Sequence, residues 1–144
     1  MSHGLYVKGF VGQHCVNCLI DTGSVKTILS RKVYDGPQQH KRFLLRNENT
    51  DIFLADGSTS KTRGTGETIL TLGRQELLVS FVVADIEDDV ILGMDLLSQA
   101  GASIDLVQGN VTVNGETMDC HDSRDQMLSY PCMVRRSVFV EANS

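Results

Sequence analysis

The sequence lacks the features that define several other classes of protein. No apolar run approaches the ~20 residues that a membrane-crossing helix needs, so we expect no membrane partner. Acidic residues outnumber basic ones, 18 to 13, and the formal net charge is −5. A basic surface that would bind nucleic acid is therefore not expected. Residues 1–4 contain no charged leader and no apolar signal core.

The cysteines and histidines show no spacing typical of a metal site. The four cysteines lie at positions 15, 18, 120 and 132, and a zinc site would need ligands from distant, irregularly spaced segments. We expect no metal and no cofactor, and a zinc-binding module is the weakest of the alternatives. Without a signal segment, free thiols in a reducing compartment are expected, which predicts a cytoplasmic protein.

The sequence predicts one mostly-β domain followed by a polar tail. At 144 residues it is large enough to bury a core. Strands are predicted at 5–11, 14–20, 52–58, 67–72, 75–83, 102–107 and 111–113, with a short helix at 94–99. Many short strands separated by glycine turns are typical of a barrel or sandwich. We assign a domain to 1–115 and a C-terminal extension or linker to 116–144.

Residues 18–24, with the sequence CLIDTGS, are the centre of the functional analysis. An apolar strand leads directly to Asp21 and a glycine loop, and a second apolar-Gly element, VILG, occupies 90–93. Hydrolysis of a peptide bond by carboxylates requires two of them that share one proton. The chain has one Asp-Thr-Gly loop, so the second carboxylate must come from another copy, which predicts a C2 homodimer.

These motifs resemble those of retropepsins, and most closely the proteases of Ty3/gypsy-type long-terminal-repeat retrotransposons. The resemblance covers roughly residues 5–115. It implies a retropepsin-like closed β-barrel (the acid protease fold) with one short C-terminal helix, active as a symmetric homodimer. By position, Asp21 is implied to be the catalytic carboxylate. Thr22 would grip the opposite loop, Gly23 would let substrate lie against the loop, and the Ser24 hydroxyl would donate to Asp21.

The resemblance also assigns a flap and a support beneath the site. Residues 52–63 resemble the hairpin that closes over substrate. The residues near its tip are Leu54, Ala55, Asp56 and Gly57. The apolar-Gly element that packs beneath the loop is Ile91, Leu92 and Gly93, with Ile91 in reach of a substrate side chain.

Three departures from retroviral enzymes follow from the sequence. Val25 and Met94 occupy positions where many of those enzymes carry an Asp–Arg pair, so a different contact must hold the dimer. The flap has few glycines and carries Asp56. A further strand near 111–113 extends the chain as in cellular retropepsin-like domains, which favours a dimer sheet built from C-terminal hairpins.

The tail contains one bond of interest, between Tyr130 and Pro131. It lies between apolar flanks, and retroviral proteases cut aromatic-Pro bonds of this kind. One hypothesis is self-processing at this bond; the alternative is a proline in an exposed linker.

The resemblance implies an aspartic endopeptidase that matures a retroelement Gag-Pol polyprotein. Its partners would be a second copy and a peptide or polyprotein substrate, and its location the cytoplasm or virus-like particles. The alternative is a catalytically weak or inactive dimerisation or peptide-binding module, of the kind a host protein acquires by domestication.

Overall fold

A closed barrel of six strands forms the body of the protein. The structure is a computed structural model that describes residues 4–36, 42–47, 51–53, 57 and 59–122. The strands and helices follow in chain order: β1 Leu5–Val11, β2 His14–Ile20, β3 Ile28–Ser30, α1 Arg31–Tyr34, β4 Asp51–Phe53, β5 Thr59–Leu72, β6 Gln75–Ala84, β7 Val90–Leu92, α2 Met94–Gln99, β8 Ser103–Asp105, β9 Asn110–Val113 and β10 Glu116–Asp119. This confirms the predicted mostly-β class with a short helix at 94–99, to which α1 adds one further turn.

The barrel closes because β1 pairs on both of its edges. The sheet order is β1-β2-β7-β3-β6-β5-β4, and an additional pairing joins β1 to β5. Phe10 lies opposite Thr71, and Val11 opposite Leu70, at this closing seam. A closed sheet leaves no unpaired edge in the ring, and β4 is attached outside it through β5.

Strand β7 lies between β2 and β3, and this insertion positions the site. It pairs in parallel with β2, Ile20 opposite Leu92, and antiparallel with β3, Ile28 opposite Ile91. The two strands that flank it are consecutive along the chain, joined by residues 21–27. The loop at 21–27 therefore arches over the end of β7 near Gly93.

Two apolar clusters lie on opposite faces of this sheet. The large one fills the barrel and includes Val16, Cys18, Leu29, Phe81 and Leu92, all at most 2% exposed. Val16 and Cys18, two residues apart, share the core face of β2. The small cluster contains the buried residues Ile28, Ala84, Ile86 and Ile91, with Leu19 and Ile52 packed against it.

A second sheet of three strands, in the order β10-β9-β8, follows α2. Val111 and Val113 of β9 are buried in the barrel cluster. β10 starts at Glu116, the first residue of the predicted extension, and pairs with β9 along its whole length. At least residues 116–121 of that extension thus belong to the fold, because Cys120 bonds to Gly109 and His121 pairs with Tyr6 of β1; the division at 115/116 otherwise stays a prediction. Within the described residues, no helix has the length and apolar character that crossing a membrane requires.

Candidate active site

Asp21 follows the last residue of β2 and is held by main-chain contacts. Its N–H donates to the carbonyl oxygen of Leu92 at 3.0 Å, which extends the parallel pairing of β2 and β7 by one residue. Its own carbonyl accepts the Ser24 N–H at 3.1 Å. The Gly23 N–H donates to Asp21 Oδ1 at 3.0 Å. The half-buried carboxylate therefore has a defined position at the surface end of the barrel.

Thr22 and Gly23 are exposed next to this carboxylate. A Cβ atom at Gly23 would lie 3.3 Å from Asp21 Oδ1, so glycine leaves the carboxylate accessible. The Ser24 hydroxyl does not donate to Asp21 as expected from the sequence. It donates to the carbonyl oxygen of Lys26 at 2.8 Å, because the loop turns its side chain back toward the chain that leads into β3.

The apolar-Gly element of β7 lies under the loop. Leu92 is buried in the barrel cluster and Ile91, 8% exposed, in the small cluster. Gly93 is the point of closest approach. A Cβ there would overlap the Lys26 carbonyl group and come within 2.9 Å of the Ser24 carbonyl oxygen. A larger residue at 93 would displace the loop.

A buried hydroxyl connects the two ends of this region. Thr27, fully buried, donates from Oγ1 to Asp95 Oδ1 at 2.7 Å and accepts the Gly93 N–H at 3.1 Å. The Thr27 N–H donates to Asp95 Oδ2 at 3.2 Å, and the Leu96 N–H donates to Asp95 Oδ1 at 2.7 Å. The Asp95 carboxylate thus joins the Leu96 N–H of α2 to the end of the loop, while the Met94 and Asp95 N–H groups donate to the carbonyl oxygens of Ser24 and Val25.

Sequence reasoning missed Thr27 and Asp95 as site residues. Neither residue belongs to an Asp-Thr-Gly motif, and no motif links the two positions in the sequence. The available signal was a polar residue directly before the apolar Ile28 and Leu29, where a buried hydroxyl needs a partner.

The acidic turn after β6 also has a structural role that the sequence did not reveal. Asp88 Oδ1 accepts the hydroxyl of the fully buried Tyr6 at 3.1 Å, and Asp89 Oδ2 accepts the Asn17 N–H at 2.9 Å. The Asp89 carbonyl accepts the Ser30 N–H at 2.8 Å. The turn therefore ties β1, β2 and β3 to the start of β7.

A hairpin made by β4 and the start of β5 lies over the small apolar cluster. Ile52 pairs with Ser60, and its side chain packs against that cluster. Gly57, at φ 89°, lies in the turn between the two strands. The other predicted tip residues, Leu54, Ala55 and Asp56, lie outside the described residues, as do Tyr130 and Pro131 of the predicted self-cleavage bond.

The three cysteines that the structure describes divide into two groups, and Cys132 lies outside the described residues. Cys18 and Cys120 are free thiols, whereas Cys15 is disulfide-bonded, so the expectation of four free thiols is wrong at Cys15. Burial raises the pKa of the Cys18 thiol far above its ordinary value, and the Asp89 charge adds to this; burial raises the pKa of Cys120 to about 11. Among the described residues, no group of three or more His, Cys, Asp or Glu side chains is placed to hold a metal ion.

A closed barrel whose parallel strand pair presents one Asp-Thr-Gly loop defines a class, the retropepsin-like aspartic proteases. More particularly, the chain belongs to the family described as "gag-polyprotein putative aspartyl protease", whose model matches residues 7–99. Among curated proteins, it is 31% identical over 113 residues to DNA damage-inducible protein 1 of Candida glabrata. The match covers 77% of this chain but 26% of that protein, so the chain spans about a quarter of this relative's length.

Solved structures support the same fold. The retroviral protease-like domain of Ddi1 from Leishmania major matches with a TM-score of 0.69 at 19% identity, covering 87% of this chain and 99% of that one. EIAV protease, in complex with the inhibitor HBY-793, matches with a TM-score of 0.57 at 23% identity, covering 72% of this chain and 93% of that one. At these identities the likeness concerns the fold alone.

Proposed function

We propose that the protein is an aspartic endopeptidase that works as a C2 homodimer. The observation that carries the proposal is the Asp21 carboxylate, held at the end of β2 by the Gly23 N–H at 3.0 Å and flanked by the exposed Thr22. One subunit supplies one such carboxylate. Pairing two loops across a two-fold axis would bring two of them together, with the Thr22 side chains in position to grip the opposite loops.

The chemistry follows from that pairing. Two adjacent carboxylates cannot both ionise at low cost, so the pair retains one proton. The ionised carboxylate takes a proton from water, whose oxygen attacks the scissile carbonyl carbon. The protonated carboxyl donates to the carbonyl oxygen. Collapse of the tetrahedral intermediate then breaks the C–N bond, and the amine nitrogen leaves with a proton from the pair.

Substrate would lie between the hairpin and the small apolar cluster. Ile28, Ile86 and Ile91 form the floor of this region, and Ile52 of β4 packs against them. An extended peptide presents alternate side chains to such a surface, so we infer an apolar pocket at Ile91 and a flap role for the hairpin around Gly57.

The dimer contact would use apolar surface on two elements. Val25 in the loop and Met94 at the start of α2 are 73% and 41% exposed. Leu106 and Val107, between β8 and β9, are 78% and 92% exposed. The three-stranded C-terminal sheet has outer strands β8 and β10 that can pair with a second copy. This arrangement fits the expected absence of an Asp–Arg pair at positions 25 and 94.

Two substrate assignments remain in competition. Membership of a family described by its gag polyproteins supports maturation of a retroelement polyprotein. Similarity to the C. glabrata DNA damage-inducible protein 1 supports a domesticated host domain, which includes a catalytically weak or inactive dimerisation or peptide-binding module. The hydrogen bonds that hold the Asp21 loop favour the active enzyme over the inactive one.

The test is peptide cleavage as a function of enzyme concentration at several acidic pH values. The substrates are a peptide that spans residues 128–134 and a mixed protein digest, and the control is Asp21→Asn. Activity that rises faster than linearly and disappears in the control is expected. A folded dimer that cleaves nothing would favour the binding module instead.

Self-processing at Tyr130–Pro131 remains a separate proposal. The intact mass of the full chain after prolonged incubation at an active pH should show a product that ends at Tyr130. An unchanged mass, in a preparation that cleaves the peptide of residues 128–134, would refute processing in the intact chain.

A further inference from the structure

A cavity of about 480 Å³ lies outside the site described so far, at the base of the β4–β5 hairpin. Its charged lining residues are Arg31, Lys61, Arg63 and Asp85. Ser60 and two threonines of β5 complete the lining. Neither the catalytic loop nor the small apolar cluster contributes to it.

Strand pairing fixes the walls of this cavity. β3 and β6 run in parallel with Ser30 opposite Ala84, and Thr62 of β5 also lies opposite Ala84. Arg31 and Asp85, which follow directly on β3 and β6, are therefore neighbours. The Ser60 hydroxyl donates to the Asp85 carbonyl oxygen at 3.3 Å. The cavity is thus built from main chain whose position the barrel determines.

The cavity carries a local excess of positive charge in a protein whose net charge is −5. Three cations face one carboxylate, that of Asp85. Arg63 is neutralised in part, because its Nη1 lies 2.9 Å from Asp35 Oδ2. In the part of the chain that the structure describes, Arg31 and Lys61 form no ion pair. Two cations are therefore available to a ligand.

The distance from the catalytic carboxylate follows from the strand register. Leu19 of β2, Ile91 of β7 and Ile28 of β3 lie opposite one another. Asp21 is two residues beyond this level in one direction, and Arg31 is three residues beyond it in the other direction, because β3 is antiparallel to β7. The two residues are therefore separated by five residues along the strands and by two strands across the sheet. At ~3.3 Å per residue and ~4.8 Å per strand this is on the order of 20 Å. An extended polypeptide covers that distance in about six residues.

We propose that this cavity is a secondary site that binds acidic side chains of the polypeptide substrate, about six positions from the cleaved bond. The proposal deepens the proposed function and rests on it. The two-fold axis would place one cavity near each end of the substrate, so acidic residues on either side of the cleaved bond would be recognised.

The test is direct binding, measured by fluorescence anisotropy on the Asp21→Asn chain, which cannot cleave its ligand. Two labelled peptides share residues 128–134 at their centre and carry either Glu or Gln about six to eight positions from the Tyr-Pro bond. We expect the Glu peptide to bind roughly two- to fivefold more tightly for each cation engaged. The advantage should shrink with added salt, because exposed charges are screened.

Single substitutions then test the cavity itself. Arg31→Gln and Lys61→Gln should each reduce the Glu-over-Gln advantage, and Asp85→Asn should increase it by removing a repulsive charge. Lys32→Gln is the matched control, because it removes the same charge from the next residue of α1, which does not line the cavity. Equal affinity for both peptides, no binding of the Glu peptide, or an equal effect of Lys32→Gln and Arg31→Gln would overturn the proposal.

The proposed function and this secondary site can be tested separately. Cleavage of the Gln peptide by the unmodified chain tests catalysis without acidic recognition. If that peptide is cleaved and no Glu preference exists, only the secondary site is refuted. If a Glu preference exists and neither these peptides nor the mixed protein digest is cleaved, catalysis is refuted and the cavity stands as a binding site for acidic peptides.

Discussion

Replacement of Thr27 by valine removes one hydroxyl from the buried centre of the active-site region while keeping the shape of the side chain. The Gly93 N–H would lose its acceptor, at 3.1 Å, and Asp95 would lose a donor at 2.7 Å. A buried unsatisfied donor costs about 1–3 kcal/mol, and a hydrogen bond to a carboxylate contributes about 1.5–3 kcal/mol. Because Asp95 is exposed and water can replace one donor, we expect Thr27→Val to cost about 2–4 kcal/mol of unfolding free energy.

This loss is large against a total stability of about 5–15 kcal/mol. Urea unfolding followed by circular dichroism should show a midpoint lower by roughly 1–2 M, at an m-value of about 2 kcal/mol per M. Thr112→Val is the matched control, because its hydroxyl, 2.8 Å from that of Thr117, is solvent-exposed. The control should lose less than about 0.5 kcal/mol.

Thr27→Ser separates the hydroxyl from the methyl group. It retains the hydrogen bonds to Gly93 and Asp95, so it should be more stable than the valine variant although it has less apolar volume. A valine variant within about 0.5 kcal/mol of the parent, or one more stable than the serine variant, would refute the role assigned to this hydroxyl.

Three further changes have defined outcomes. Gly93→Ala should cost at least about 1–3 kcal/mol in the same urea assay, because its methyl group would overlap the Lys26 carbonyl; parental stability would contradict this. Hydrogen bonds from Arg46 lower the pKa of Glu67 from its ordinary 4.5. The stability that these bonds give the folded protein is therefore complete above the ordinary pKa of 4.5. It is lost as the pH falls through the lower pKa of the folded state. The urea midpoint of the parent should then fall more steeply below about pH 4.5 than that of Glu67→Gln. Parallel plots of midpoint against pH for the two proteins would refute this role of Glu67. The pKa of Cys120 is raised to about 11, so less of this thiol is ionised in the folded chain. At about pH 8 it should react with iodoacetamide roughly a hundredfold more slowly in the folded chain than in urea, as measured by mass spectrometry. Equal rates would show that folding does not protect the thiol.

Elements with local signals were predictable from the sequence. β1 and β2 begin and end at the predicted residues, because two apolar segments flank Gly12, whose φ of 62° suits a tight turn. α2 is bounded by Gly93 and lies just before Gly101, and its bounds were also predicted. The Asp21 loop and the β7 element were found because their residue types are specific to one chemistry.

Features that depend on distant pairs were not predictable. Thr27 and Asp95 are 68 residues apart, and neither one alone indicates a buried hydrogen bond. β10 has one apolar residue, Met118, which packs against the barrel cluster; main-chain pairing with β9 and the Glu116 contacts to Arg74 and Gln75 hold the rest of the strand. A search for hydrophobic periodicity cannot find such a strand.

The insertion of β7 between two strands that are neighbours in the chain has a consequence for biosynthesis. Asp21 is synthesised before the strand that completes its surroundings and before the Asp95 carboxylate that anchors Thr27, both of which come 68 or more residues later. At about 5–20 residues per second this delay is roughly 3–14 s. Non-local pairing of this kind also slows folding after synthesis. A nascent chain would therefore carry Asp21 without an assembled loop until the C-terminal half of the barrel has been translated, which would delay the proposed proteolysis until the domain is whole.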